Sequence, residues 1–244
     1  MKLCAIVCEI LAREAAHAAA HSPHIVHLEF LHSGLHDEPD KLRSSVQERI
    51  DAASDGGFDY IILGYGLCSR GTADLVARET PIVIPRCHDC ITLFLGSREA
   101  YDREFAEHPG TYYYCAGWIE HKNGDLSQGT LRSTHEMRAE ERYQEYLEKF
   151  GEDNAKFLIE QEGLWLAHYN RAALIDTGFG DFETYRDFTK GVAETNGWEY
   201  EELRGDTRMV DILFSGEWSD EEFLVVRPGQ RTVEQVMGGI IAAE

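Results

Sequence analysis

A repeated alternation restricts the fold more than any other feature of the chain. Short apolar or β-branched runs at residues 3–7, 24–31, 58–63, 81–85 and 111–115 alternate with helix-forming stretches at 9–20, 39–53, 72–78 and 101–107. The first run, Leu3-Cys4-Ala5-Ile6-Val7, has no polar alternate position, as expected of a strand covered on both faces. In the second helical stretch Leu42, Val46 and Ile50 recur at helical spacing. Strands alternating with helices through short connections predict an α/β fold built on a mostly parallel, three-layer sheet.

The rhythm pauses and then resumes. Residues 121–134 are polar, carry Gly124 and Gly129, and read as an excursion. Residues 136–162 form a charged helical region interrupted at Gly151. Strand character returns at 171–175, 198–203 and 223–226, with helices expected at 182–195, 207–214 and 232–243. The expected organisation is two α/β blocks, 1–120 and 165–244, with a loop and helical connection at 121–164. The blocks are either separate Rossmann-like units or parts of one body.

Charge narrows the partners. Against 23 basic side chains stand 44 acidic ones, a formal charge of −21, which repels phosphate backbones and anionic lipid surfaces. No nucleic acid or membrane partner is expected, and a small-molecule substrate is. Glu9, Arg13 and Glu14 interrupt the N-terminal apolar run before it reaches the length of a signal peptide, and no uninterrupted apolar stretch is long enough to span a bilayer. A reducing, cytoplasmic compartment follows, in which the six cysteines are metal ligands, reactive thiols or small buried side chains.

In a parallel α/β sheet, ligands bind beyond the carboxyl ends of the strands. The alternation puts Cys8 after the first strand, Cys68 after the third, Cys87, His88 and Cys90 after the fourth, and Cys115 after the fifth. Only Cys4 falls mid-strand. Soft thiolates converging from separate loops suit zinc or an iron–sulfur cluster, and three protein ligands leave one position open for chemistry. Against this, buried cysteines are common packing residues. The Cys87-His88-Asp89-Cys90 motif also admits a thiol redox role.

Other candidates cluster nearby. His88 and Asp89 suit ligand or acid/base roles, with helix capping as the plain alternative for Asp89. Arg86 suits an anionic substrate or cluster, with a surface ion pair as its plain alternative. Gly64-Tyr65-Gly66 lacks a dinucleotide fingerprint and reads as a tight turn exposing Tyr65 and Cys68.

Several stretches together resemble a known family. They are Leu63-Gly64-Tyr65-Gly66-Leu67-Cys68, Pro85-Arg86 with His88-Asp89-Cys90-Ile91, Pro109-Gly110-Thr111-Tyr112-Tyr113, and Gly216-Glu217-Trp218 with Pro228-Gly229. The chain is similar to the uncharacterised family called domain of unknown function 1638. The resemblance implies cysteines at Cys8, Cys68 and Cys90 with His88, and does not require Cys87 or Cys115. It also implies an association with corrinoid-dependent methyl transfer, hence a corrinoid or a corrinoid protein as cofactor or partner.

The expected function is therefore a metal-dependent enzyme of lyase or transferase type. Its metal site is Cys8, Cys68 and Cys90 with His88, holding an iron–sulfur cluster or zinc, and its catalytic candidates are His88, Asp89, Arg86 and Tyr65. A non-catalytic metal- or corrinoid-binding accessory protein and a Cys-x-x-Cys redox protein are the alternatives.

Overall fold

The structure is a computed structural model that describes residues 1–122, 143–163, 168–235 and 239–244. The helical residues 121–122 are thus described, while most of the expected excursion and the start of the charged helical region lie outside the described residues.

The chain divides into two compact units. The first comprises residues 1–103, 177–179 and 204–244. Its sheet has the order β2-β1-β3-β4-β8, from strands β1 (Lys2–Cys8), β2 (Ile25–Leu31), β3 (Tyr60–Gly64), β4 (Ile82–Pro85) and β8 (Phe223–Val226). All pairs are parallel except β4 with β8, where Ile82 faces Val226. Leu3 to Cys8 are buried without exception, which is why the central strand needs a continuous apolar run.

Helix α1 (Ala12–His21) carries the chain from β1 out to β2, and α2 (Pro39–Ser54) carries it back across β1 to β3. Because parallel crossovers are right-handed, these opposite directions place the two helices on opposite faces of the sheet. Leu42, Val46 and Ile50 of α2 are buried, as their spacing requires. Helix α9 (Arg208–Ser215) packs beside α1 and completes its layer. The result is the three-layer, mostly parallel architecture the alternation predicts.

The second unit comprises residues 104–176 and 180–203. Its sheet has the order β5-β6-β7, from β5 (Thr111–Cys115), β6 (Arg171–Asp176) and β7 (Glu199–Arg204), with β5 and β6 parallel. Helices α5 (Ala116–Lys122) and α8 (Phe182–Asn196) surround a core of Tyr114, Ile119, Leu174, Tyr185 and Val192. The same unit holds α7 (Glu152–Gly163) and the helical residues 143–150, labelled α6. Gly151, with φ +79°, separates these two, as the sequence indicates.

Three expectations are corrected. Strand β5 pairs with β6 in the second sheet and does not extend the first, so Cys115 leaves the edge assigned to it. Residues 72–78 form no helix. The Asp74 amide instead donates to the Thr232 carbonyl at 2.7 Å and the Ala77 amide to Gln230 at 2.9 Å. The described residues of 232–243 likewise form no helix. Strands β9 (Thr232–Gln235) and β10 (Ile240–Ala243) pair antiparallel, and the buried Thr232 hydroxyl donates to the Thr72 carbonyl at 2.7 Å. These two segments exchange backbone hydrogen bonds, and that pairing overrides their local helical preference.

Short helices α3 (Cys90–Leu95) and α4 (Arg98–Glu107) follow β4. Gly96 ends α3 with φ +79°, where a side-chain Cβ would stand 2.6 Å from Asp206.

Candidate functional site

The carboxyl ends of β1, β3 and β4 lie side by side in the first sheet, and each is followed by part of the candidate site. Strand β1 ends at Cys8 and passes into a single 3-10 turn, Glu9–Leu11. Strand β3 continues into Tyr65-Gly66-Leu67-Cys68, and β4 into Arg86-Cys87-His88-Asp89-Cys90. The last two loops are joined by backbone hydrogen bonds, Leu67 N–H to the Cys87 carbonyl at 2.8 Å and Cys68 N–H to the His88 carbonyl at 2.9 Å. Gly66 permits this approach, since a Cβ there would stand 2.8 Å from the Asp89 nitrogen.

Cys68, Ser69 and Arg70 take φ values of +46°, +53° and +72°, three successive non-glycine residues in the left-handed region. Each such residue costs on the order of 1 kcal/mol or more, and this kind of strain gathers at functional sites. Around the turn, Thr72 Oγ1 donates to the Gly66 carbonyl at 2.9 Å and the Gly71 amide to the Cys68 carbonyl at 2.9 Å. The surroundings thus hold Cys68 in a backbone conformation that it would not adopt alone.

The site's electrostatics have one sign. Burial pushes the Cys68 thiol up to about 12, and neighbouring Cys8 and Asp89 push in the same direction. Cys68 is partly exposed as a residue, yet protein around its sulfur makes burial the leading cause. Burial raises Cys87 well above the usual thiol value, with Cys68 and Asp89 adding to it and Arg98 opposing. The Tyr65 phenol is raised well above its ordinary value, first by burial and then by Cys8, Cys68 and Glu9. Groups that become anionic on losing a proton thus crowd one another. Such a place favours neutral thiols, or a cation that replaces their protons.

The structure brings Cys8 and Cys68 together, with Tyr65 between the strand ends. Tyr65 is not exposed by a turn, as the Gly-Tyr-Gly sequence suggests, but only 3% accessible. Asp89 takes its plain role as the N-cap of α3, accepting from Ile91 N–H at 3.0 Å, while its other oxygen accepts from the Tyr101 hydroxyl at 3.3 Å. The His88 side chain is exposed, and its carbonyl serves the loop contact. The Arg86 guanidinium donates to the carbonyls of Asp220, Phe223 and Ile241, clamping β8 and β10. Cys90 opens α3, partly buried, and Cys87 is fully buried. Cys4, 1% accessible in mid-strand, has its thiol pushed up to about 11 by burial and then by Glu29. In the second unit, Cys115 Sγ accepts from the Trp118 amide at 3.4 Å.

No disulfide joins any of the six cysteines. Among the described residues, no three His, Cys, Asp or Glu side chains are grouped so as to hold a metal ion. In donor chemistry the site suits a soft cation; in preformed ligand number it stops short of three.

Three features escaped the sequence. Glu9, directly after Cys8, accepts from Ser33 N–H at 2.7 Å and stands 3.6 Å from His32. The Ser33 and Tyr65 hydroxyls are both buried with no hydrogen-bond partner. A cleft of about 570 Å³ is lined by Arg86, Arg98, Glu99, Asp102, Asp220 and Glu222 among others. Only Glu9 left a signal, as a carboxylate at a strand's carboxyl end. The cleft draws on residues 86 to 239, which no local pattern connects.

A family model described as "Protein of unknown function (DUF1638)" matches residues 30–213. Neither a curated protein nor a solved structure matches the chain.

Proposed function

This chain belongs to the DUF1638 family, and we propose that it is a metal-dependent enzyme acting on a small polar molecule at the carboxyl edge of its first sheet. Cys8 and Cys68 are the thiol pair that takes zinc or an iron–sulfur cluster. Cys90, in the first turn of α3, would supply the third thiol. When bound, the metal would act as a Lewis acid or activate a water or thiol.

One observation carries this proposal: the Tyr65 hydroxyl is buried without a partner among thiols and a carboxylate. Leaving a buried hydroxyl unpaired costs about 1–3 kcal/mol, and native proteins leave few. A group meant to meet a ligand is the simplest reason to keep one. Because its pKa is raised, Tyr65 stays protonated and donates to a substrate oxygen. Glu9, directly after β1 and beside Tyr65, would accept a proton.

The redox alternative is not favoured. Cys87 is fully buried with its thiol pKa raised, whereas exchange chemistry needs an accessible thiolate. Six cysteines without a disulfide support placing the protein in a reducing cytoplasm. Among the described residues, no helix is long and apolar enough to cross a membrane.

The test is the composition and absorption spectrum of anaerobically purified protein. Iron with sulfide and a brown colour identifies the cluster, and colourless protein with zinc identifies the other metal. Metal-free protein that gains neither on reconstitution rejects the proposal.

A further inference from the structure

Strand β2 lies at the end of the sheet order, and among the described residues no strand pairs with its outer side. Ile25-Val26-His27-Leu28-Glu29-Phe30-Leu31 contains no proline, lysine or bulge, and Glu29 is the one carboxylate on this edge. Ile25 is 68% accessible and Phe30 42%, one on each face of the strand.

The Ile25 amide donates to the Met1 carbonyl at 3.0 Å, on the β1 side. Strand alternation therefore directs the backbone groups of Ile25, His27, Glu29 and Leu31 toward β1, and those of Val26, Leu28 and Phe30 away from it. The outward groups form an unused ladder.

We infer that β2 pairs antiparallel with β2 of a second copy, making one sheet continuous across a two-fold axis at Leu28. The sequence of the strand is complementary to itself about that residue. With Leu28 opposite Leu28 of the second copy, Val26 meets Phe30, Ile25 meets Leu31, and His27 meets Glu29 in both directions. Opposite-charge and apolar cross-strand pairs stabilise such a ladder. The hydrogen-bonded pairs fall on Val26, Leu28 and Phe30, the residues with outward backbone groups. His27 and Glu29 form the closer, non-bonded pairs.

Neighbouring registers set like groups opposite each other, which is less favourable even with Arg49 3.8 Å from Glu29. A two-fold axis perpendicular to the sheet keeps each side chain on its own face, so the register shifts in steps that place one residue opposite itself. Centring on His27 sets two imidazoles together and faces Ile25 with Glu29, while centring on Glu29 sets two carboxylates together. Within one chain His27 Nε2 and Glu29 Oε1 already lie 3.1 Å apart, so two copies would assemble a four-residue cluster in which imidazole and carboxylate alternate.

The test is sedimentation of the full chain across a wide concentration range, with amide exchange at Leu28. A dimer is expected, with Leu28 N–H exchanging more slowly in it than in the diluted monomer. His27→Glu sets like charges opposite at two symmetric positions and should weaken the dimer roughly tenfold. Adding Glu29→His should restore it, because the double exchange again sets a carboxylate opposite an imidazole at both positions. A wild-type chain that stays monomeric throughout overturns the inference. So does a dimer whose Leu28 exchange is unchanged, or one that His27→Glu leaves intact. Should His27→Glu unfold, Leu28 exchange in the wild type decides alone.

Discussion

The backbone amide of Cys68 donates to the carbonyl of His88 at 2.9 Å, so the loops after β3 and β4 behave as one element. Cys68 reaches its place beside Cys8 because the neighbouring loop holds it there.

Gly66→Ala should therefore damage the site from within. The added carbon would stand 2.8 Å from the Asp89 nitrogen and 3.0 Å from the Cys87 carbonyl oxygen, both backbone atoms that cannot turn aside. A loss of about 1–3 kcal/mol is expected in urea unfolding. Cys68 should also become more reactive toward a thiol reagent as the loops part.

Tyr65→Phe separates function from stability. Removing a hydroxyl that has no partner should leave the ligand-free protein as stable as before, or more stable by up to about 1 kcal/mol. Metal content should persist while turnover of a substrate falls. A stability loss above about 1 kcal/mol in urea unfolding would show that the hydroxyl is already bonded.

Asp89 gives a pH dependence of defined sign. Burial raises its carboxyl above the ordinary 3.8, against the opposing hydrogen bonds from Ile91 and Tyr101. The folded state then holds a proton more tightly than the unfolded state. Its contribution is fully present below 3.8 and is lost as pH rises through the folded value. Asp89→Asn keeps a competent N-cap and removes the titration. Wild type and variant, compared by unfolding free energy, should differ in slope only in the window between 3.8 and the raised folded value.

In the second unit Arg171 is 3% accessible, paired with Glu104 and standing 3.2 Å from Glu201. Arg171→Ala should cost about 1–3 kcal/mol by removing the charge-assisted hydrogen bond to the partly buried Glu104 and the packing of a buried side chain. Arg171→Met combined with Glu104→Gln should recover most of it. Thermal or urea unfolding of the two variants measures the difference.

The first sheet was legible because β1 is apolar throughout and α2 carries its buried residues at helical spacing. Both signals are local. The sheet to which β5 belongs was not legible, since alternation shows that a strand exists without showing its neighbour. Residues 72–78 and 232–243 misled for a related reason: their partner is each other, more than 150 positions away, as in the contact of Thr232 with Thr72. At the site, topology placed Cys8 and Cys68 correctly at adjacent strand ends. It also placed Tyr65 there but on the surface, because two flanking glycines look like an exposed turn. The left-handed run at Cys68 left no trace, since it contains no glycine.

The central claim is that Cys8 and Cys68 hold a soft metal, and metal stoichiometry in single serine variants tests it most directly. Cys8→Ser and Cys68→Ser should each lose the metal carried by the anaerobically purified wild type, while Cys4→Ser, altering a thiol in mid-strand, should keep it. Retention of the full metal content by Cys68→Ser would contradict the account.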